Sequence, residues 1–168
     1  MRLLRPLRRW AKRLLGGGKK VVRVRSGVLI VQQGKVALIA RVRDGQRYYV
    51  VPGGGVEHGE SLEQAAVREA LEELGVHVAL GALAVTVERA ERPQHYFLAT
   101  IVGGTFGAGS GPEFGPDVPP EKGTYRAVWL PVAALPHSDV RPRLVAAVLP
   151  TILAGTAHLP LVIAERGA

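Results

Sequence analysis

The stretch Val51–Val78, VPGGGVEHGESLEQAAVREALEELGVHV, constrains this chain more than any other. Three consecutive glycines run into one sharply bounded helix. Ser61 is a good N-cap residue, and Gln64 sits three positions on, the spacing of a capping box. Gly75 suits the left-handed position just past a helix. The two signals delimit a helix over about Leu62–Leu74. Ala66, Ala70 and Leu74 recur every fourth residue with Val67 and Leu71 beside them, so this stripe is expected to face a core. Glu69, Glu72 and Glu73 stand at i, i+3 and i+4 and are expected to share the opposite side.

The flanks of that helix read as strands. "VVRVR" alternates, and "GVLIV" and "VALIARV" are apolar runs separated by the turn signal "QQGK", a hairpin of buried strands. "RYYVV" leads into the glycines. "LAVTVERA" and "HYFLATIV" follow the helix, joined by a loop containing Pro93. "TYRAVWLP" reads as a late strand, and "RPRLVAAVLPTILAG" as a closing helix before the extended piece "HLPLVIAE". The order strands, helix, strands, helix predicts an α+β fold layered on a mixed sheet. Residues 103–123 are Gly/Pro-rich without periodicity, which predicts a lid or a disordered insert.

Composition matters at two points. The chain has 168 residues and 47% apolar content, enough for one domain, 21–168, with its own core. Ten of its 22 Lys/Arg and none of its 14 Asp/Glu fall in residues 1–25, so the net charge of +8 belongs to the N-terminal arm rather than the domain. In residues 1–20, Leu3, Leu7, Trp10 and Leu14 are spaced 4, 3 and 4 apart among basic residues, and "GGGKK" reads as a linker. Such an arm suits peripheral contact with an anionic membrane or with RNA; a short helix resting on its own domain is the plainer reading. There are no cysteines and no secretory signal is evident, which fits a cytoplasmic protein. Leu144–Ala164 is uncharged and long enough to span a bilayer, but Pro150, Gly155, His158 and Pro160 interrupt it, and a core helix is expected.

Three carboxylates on one helix repel one another by a few tenths of a kcal/mol per pair. They also lie toward the C-terminal end, where the macrodipole disfavours anions. Arg68 offsets one of them. A hard cation removes the conflict: Mg²⁺ takes oxygen ligands, one or two carboxylates together with substrate phosphate oxygens. Glycines at 53, 54 and 55 let backbone groups approach such a ligand closely.

Gly54, five residues, Glu60, seven residues, Arg68-Glu69, then Ala70, Leu71, Glu72-Glu73, Leu74, Gly75 and Val76 resemble the complete box of the Nudix hydrolases. Ala70 is a mild departure, since a bulkier aliphatic residue is common there. The resemblance implies an α/β/α sandwich around a central mixed sheet. It also implies Mg²⁺- or Mn²⁺-dependent cleavage of a diphosphate linkage in a nucleoside diphosphate derivative. By that resemblance Glu72 and Glu73 are metal ligands, and Glu69 a ligand or the general base. Arg68 orients a glutamate, and Glu60 supports Arg68. A carbonyl of Gly53 or Gly54 completes the metal shell, and Gly53, Gly54 and Gly55 line the substrate. Some family members take the base from a loop before the last strand, where Glu121 is the first candidate and Glu113 the second.

The substrate is not legible in the sequence. A MutT-like nucleotide pyrophosphohydrolase clearing damaged nucleotides, an RNA 5′-pyrophosphohydrolase and a non-catalytic nucleotide sensor all remain open. Tyr48, Tyr49, Phe97 and Trp129 are candidates to stack a base, although strand aromatics are more often core. His58, His95 and His137 have no spacing that marks a site.

Overall fold

The two apolar runs become the centre of a mixed sheet in the computed structural model, which describes residues 22–111 and 120–164. The basic arm of residues 1–20 and Glu113 lie outside the described residues. β1 (Arg25–Gln32) and β2 (Lys35–Arg43) form the expected hairpin, pairing at Val31 with Val36 and Gln32 with Lys35. β3 (Gln46–Val50) then pairs antiparallel with β2, and β4 (Gly53–Gly55) pairs antiparallel with β1. The chain from β3 to β4 therefore runs in the wedge where β1 and β2 separate, passing from one to the other at Val51-Pro52. A fork of this kind brings the glycines to the middle of the sheet.

Helix α1 (Leu62–Glu69) follows, then one π-helical turn, Ala70–Leu74. β5 (Val76–Glu88) and β6 (Gln94–Gly104) form a long antiparallel pair, and β6 lies parallel to β1. β5 begins before the apolar run at Leu83, and register shifts between Leu80 and Leu83 break the alternation that a sequence reading relies on. β7 (Thr124–Pro131) pairs with the other edge of β2, β8 (Val140–Arg141) lies parallel to β3, and β9 (Leu161–Ala164) lies parallel to β5. Helix α2 (Arg143–Leu153) stands between β8 and β9.

Strand alternation divides the core between two faces. Val28 and Ile30 of β1 and Ala37 and Ile39 of β2 pack with Ala66, Ala70 and Leu74 of the glutamate helix. Leu29 of β1 and Val36 and Leu38 of β2 pack with Val145, Leu149 and Ile152 of α2. Burial on both faces explains why these strands read as continuous apolar runs. The result is the expected α/β/α layering on a mixed sheet. Among the described residues, no helix is long and apolar enough to cross a membrane.

The first half of the 103–123 segment is neither lid nor insert. Thr105 N–H donates to Gly75 O at 2.9 Å, Gly107 N–H to Leu74 O at 2.9 Å and Gly111 N–H to Glu72 O at 2.9 Å. It caps the carbonyls that the helix leaves unpaired at its C-terminal end.

Candidate active site

Helix α1 starts as its residues dictate. Gln64 N–H donates to Ser61 Oγ at 3.2 Å, and Ser61 N–H donates to Gln64 Oε1 at 2.8 Å, a complete capping box. Ser26 of β1, almost fully buried, donates its hydroxyl to Leu62 O at 2.6 Å and ties the sheet to the first turn. Gly75 ends the π turn with φ +76°.

The helix is not divided between apolar and acidic sides as its spacing predicts. Ala65, Ala66, Ala70 and Leu74 are buried, but Val67 and Leu71 are 38% and 39% exposed, while Glu69 is only 9% exposed. Glu69 follows Ala65 by four residues and so turns inward with it. The π turn that begins at Ala70 then rotates Glu72 and Glu73 away from the direction that uniform α-helical spacing would give them.

Glu69 turns toward the glycine strand. A Cβ on Gly54 would fall 2.0 Å from Glu69 Oε1, so only glycine leaves room for that carboxylate. Gly53, at φ +151°, is fixed twice: a Cβ there would fall 2.6 Å from Ser26 O, and its N–H donates to Glu73 Oε2 at 2.8 Å. Hydrogen bonds from Val28 N–H to Pro52 O and from Val56 N–H to Val24 O bracket the pair Ser26–Gly54. Antiparallel alternation therefore turns the Gly54 carbonyl toward β1 and those of Gly53 and Gly55 away from it. Those two carbonyls accept from Arg25 Nη2 and, at 3.0 Å, Arg68 Nη2.

Arg68 organises the acids. It donates from Nε to Glu60 Oε1 at 2.8 Å, from Nη2 to Glu60 Oε2 at 3.0 Å, from Nη1 to Glu69 Oε1 at 2.8 Å and from Nη1 to Glu72 Oε2 at 3.2 Å. The hydrogen bonds to Glu60 and Glu69 hold the guanidinium firmly protonated against the effect of burial. In return, Arg68 holds the Glu60 carboxyl below its ordinary range, helped by the Glu57 N–H. The expectation that Glu60 supports Arg68 is met by this bidentate contact.

Other candidates are spread more widely. Glu121 is exposed, in a single 3₁₀ turn (Pro120–Lys122), and makes no hydrogen bond or ion pair with the helix glutamates among the described residues. Phe97 is core, Tyr49 packs on the α2 face, and Trp129 stacks on Phe106 at 4.6 Å between ring centroids. His95 lies 3.1 Å from Thr86 Oγ1, and burial lowers its pKa. A cavity of about 610 Å³ lies beside α2, lined by Leu135, His137, Asp139, Arg143 and Pro150, and includes none of the glutamates. Sequence reasoning missed Arg25 and Ser26, which sit in ordinary strand patterns; only their register opposite the glycines gives them a role.

The carboxylates are not already gathered into a three-residue metal cage among the described residues. Their chemistry nonetheless suits a hard cation. Glu69, Glu72 and Glu73 and the carbonyl edge of the glycine strand are all oxygen donors. A carboxylate that accepts one hydrogen bond still has lone pairs with which to coordinate.

The model of the NUDIX domain matches residues 21–148. The chain belongs to the Nudix family. A Bacillus subtilis protein named "Putative 8-oxo-dGTP diphosphatase" is 38% identical to it over 79 residues, 46% of this Nudix chain and 52% of the relative. An RNA pyrophosphohydrolase of Wolbachia from Drosophila simulans is 43% identical over 51 residues, 30% of this chain and 32% of the relative. The Nudix chain thus aligns with about half of the first relative's length and a third of the second's. A NUDIX hydrolase structure from Nitrosomonas europaea superimposes with a TM-score of 0.65 over 88% of this chain and 82% of its own, at 19% identity, a likeness of fold.

Proposed function

We propose that this Nudix domain hydrolyses a diphosphate linkage in a nucleoside di- or triphosphate derivative, as a MutT-like pyrophosphohydrolase that clears damaged nucleotides in the cytoplasm. One observation carries the reading: a single guanidinium, Arg68, draws Glu60, Glu69 and Glu72 together beside a glycine strand whose Gly53 N–H is held by Glu73.

Glu69, Glu72 and Glu73 would hold Mg²⁺ or Mn²⁺, with the carbonyl of Gly53 as the backbone donor; the Gly54 carbonyl is the weaker choice because it faces the β1 ladder. The ion supplies neutralisation of the diphosphate's charge and acidification of a water. The remaining work falls to the chain. Glu69 accepts the proton of the attacking water while that water's oxygen bonds to phosphorus and the bridging P–O bond breaks. Arg68 orients the Glu69 carboxylate by donating from Nη1 to its Oε1 at 2.8 Å. Gly54 leaves room for the Glu69 carboxylate, and Gly55, where a Cβ would meet nothing within 4 Å, leaves room for the phosphates. Glu121 is the alternative base, reached if its turn approaches the helix in the substrate complex.

The test is release of phosphate or pyrophosphate by the purified protein over a panel of normal and oxidised nucleoside triphosphates, ADP-ribose and dinucleoside polyphosphates, with and without Mg²⁺. Mg²⁺-dependent turnover of at least one member is expected. Tight nucleotide binding without turnover of any member would make the domain a sensor and overturn the catalytic reading.

A second reading, hydrolysis at the 5′ end of triphosphorylated RNA, is favoured by the relatives named RNA pyrophosphohydrolase and by the basic arm. Steep salt dependence that disappears on removal of residues 1–20 would support it.

A further inference from the structure

Val67 and Leu71 lie on the outer side of the glutamate helix, exposed and outside both apolar cores. Singly exposed apolar residues are ordinary. These two stand four residues apart, and Glu63, also exposed, stands four before Val67, so the three form one line along the helix. The surroundings are acidic. Residues 57–73 hold six Glu and one Lys/Arg, a net of −5, and that one cation, Arg68, is committed to Glu60, Glu69 and Glu72. Glu63 is therefore an exposed acid in line with two exposed apolar side chains.

The same chain carries a segment of complementary character. Residues 1–20 hold eight Lys/Arg and no Asp/Glu. From Pro6, a residue suited to the first turn of a helix, the spacing of Leu7, Trp10 and Leu14 is that of one apolar helical face. The arm joins the domain close to α1. Val22, the first described residue, is exposed. Arg23 N–H donates to Glu91 O at 3.0 Å, and Val56 N–H donates to Val24 O at 3.0 Å. Ser26 reaches the first turn of α1 itself, with its hydroxyl 2.6 Å from Leu62 O. Val22 thus stands four residues, at most about 14 Å of extended chain, from a residue in contact with the helix. Gly16–Val21 spans up to about 20 Å, and the helix with its π turn, Leu62–Leu74, is about 20 Å long. The whole outer face of α1 is within reach of the arm. Across so short a tether the effective concentration is on the order of millimolar, so a contact of modest area suffices.

We infer that the N-terminal arm docks on the outer face of α1, laying Leu7, Trp10 and Leu14 against Val67 and Leu71 and its basic side chains toward Glu63. The contact removes from water two apolar side chains that the sheet does not cover. It also sets the arm's cations beside the acidic stretch of the same chain, where opposite charge draws the two together. Docking needs neither substrate nor metal, so it stands or falls apart from the hydrolase reading.

The chain has no cysteine, so a nitroxide can be placed at a single chosen position. It is attached to Lys12→Cys in the full chain; Lys12, five residues after Leu7, falls on the polar side of the arm. Amide signals are compared before and after the label is reduced. The expected result is selective loss of the signals across Glu63–Leu71 while the label is paramagnetic. Val67→Lys combined with Leu71→Lys, at exposed positions away from the acid cluster, should restore them with circular dichroism unchanged. Glu63→Lys, which removes no apolar contact, serves as the second variant if the double one loses its fold, and should restore them as well. Equal loss in the parent and the variants, or loss confined to another element such as α2, overturns the proposal. No loss on any element overturns it too, and leaves the arm to an anionic membrane or RNA. A mixture of spin-labelled chains with separate isotope-labelled chains should show no loss. Loss in that mixture would place the arm on a second copy and overturn docking within one chain.

Discussion

Arg68 grips both carboxylate oxygens of Glu60, at 2.8 and 3.0 Å, and with the same guanidinium reaches Glu69 at 2.8 Å. The pair Glu60–Arg68 is thus the fixed bracket on which Glu69 is hung. Glu60→Gln keeps the shape but loses the charge-assisted fork, and Arg68→Lys loses the planar geometry altogether. Both should lower kcat by about tenfold or more while circular dichroism stays native, since the substituted residues orient a carboxylate rather than fill a core. Native kcat in both variants would remove Arg68 from the orienting role.

The same bracket sets an acid limit. Arg68 lowers the Glu60 pKa below its ordinary 4.5. A carboxyl whose folded value is depressed contributes stability that is present above its unfolded pKa and disappears as pH falls through the folded value. Urea midpoints should therefore fall as pH drops from about 5 downward, and Glu60→Gln should flatten part of that fall. Parallel curves for the parent and the variant would show that the contact contributes nothing.

Gly54→Ala places a methyl where the Glu69 carboxylate now lies, 2.0 Å from Oε1. Either the carboxylate moves or the strand does. A stability loss of about 1–3 kcal/mol is expected from the overpacking. Activity should fall much further than at Gly55, where a Cβ meets nothing within 4 Å. Equal activity in Gly54→Ala and Gly55→Ala would contradict the placement of Glu69.

Ser61→Ala removes one half of the capping box. About 1 kcal/mol of stability should be lost, seen as a lower urea midpoint. Turnover at a temperature where the variant is fully folded should be unchanged, because the cap lies at the far end of the helix from Glu72 and Glu73. A fall in kcat under those conditions would mean that the cap positions the site and does more than hold the helix.

Much of this was legible in local chemistry. Ser61, Gln64 and Gly75 act through neighbours a few residues away, so the helix limits could be read from spacing. The buried strands Gly27–Val31 and Val36–Ile39 were visible because burial on both faces removes polar residues from both alternating sets. What escaped depends on contacts distant in sequence. The inward turn of Glu69 needs the glycine strand beneath it, and the exposure of Val67 and Leu71 follows from the same rotation. Arg25 and Ser26 gain their roles only from pairing with Gly55 and Gly54. The helix-capping turn from Thr105 to Gly111 has no periodic signal, because its order comes from carbonyls on another element. Arg41, Tyr48 and Tyr125 are far apart in sequence and meet through strand register alone.

The central claim is that Glu69, Glu72 and Glu73 hold a divalent cation. The direct measurement is Mn²⁺ binding followed by electron paramagnetic resonance, with the parent protein, Glu72→Gln and Glu73→Gln, each with and without a non-hydrolysable nucleotide analogue. The account predicts that the parent binds Mn²⁺, more tightly with the nucleotide present, and that each variant weakens binding by about tenfold or more while remaining folded. Equal Mn²⁺ affinity in all three proteins, or no binding by the parent even with nucleotide, would contradict it.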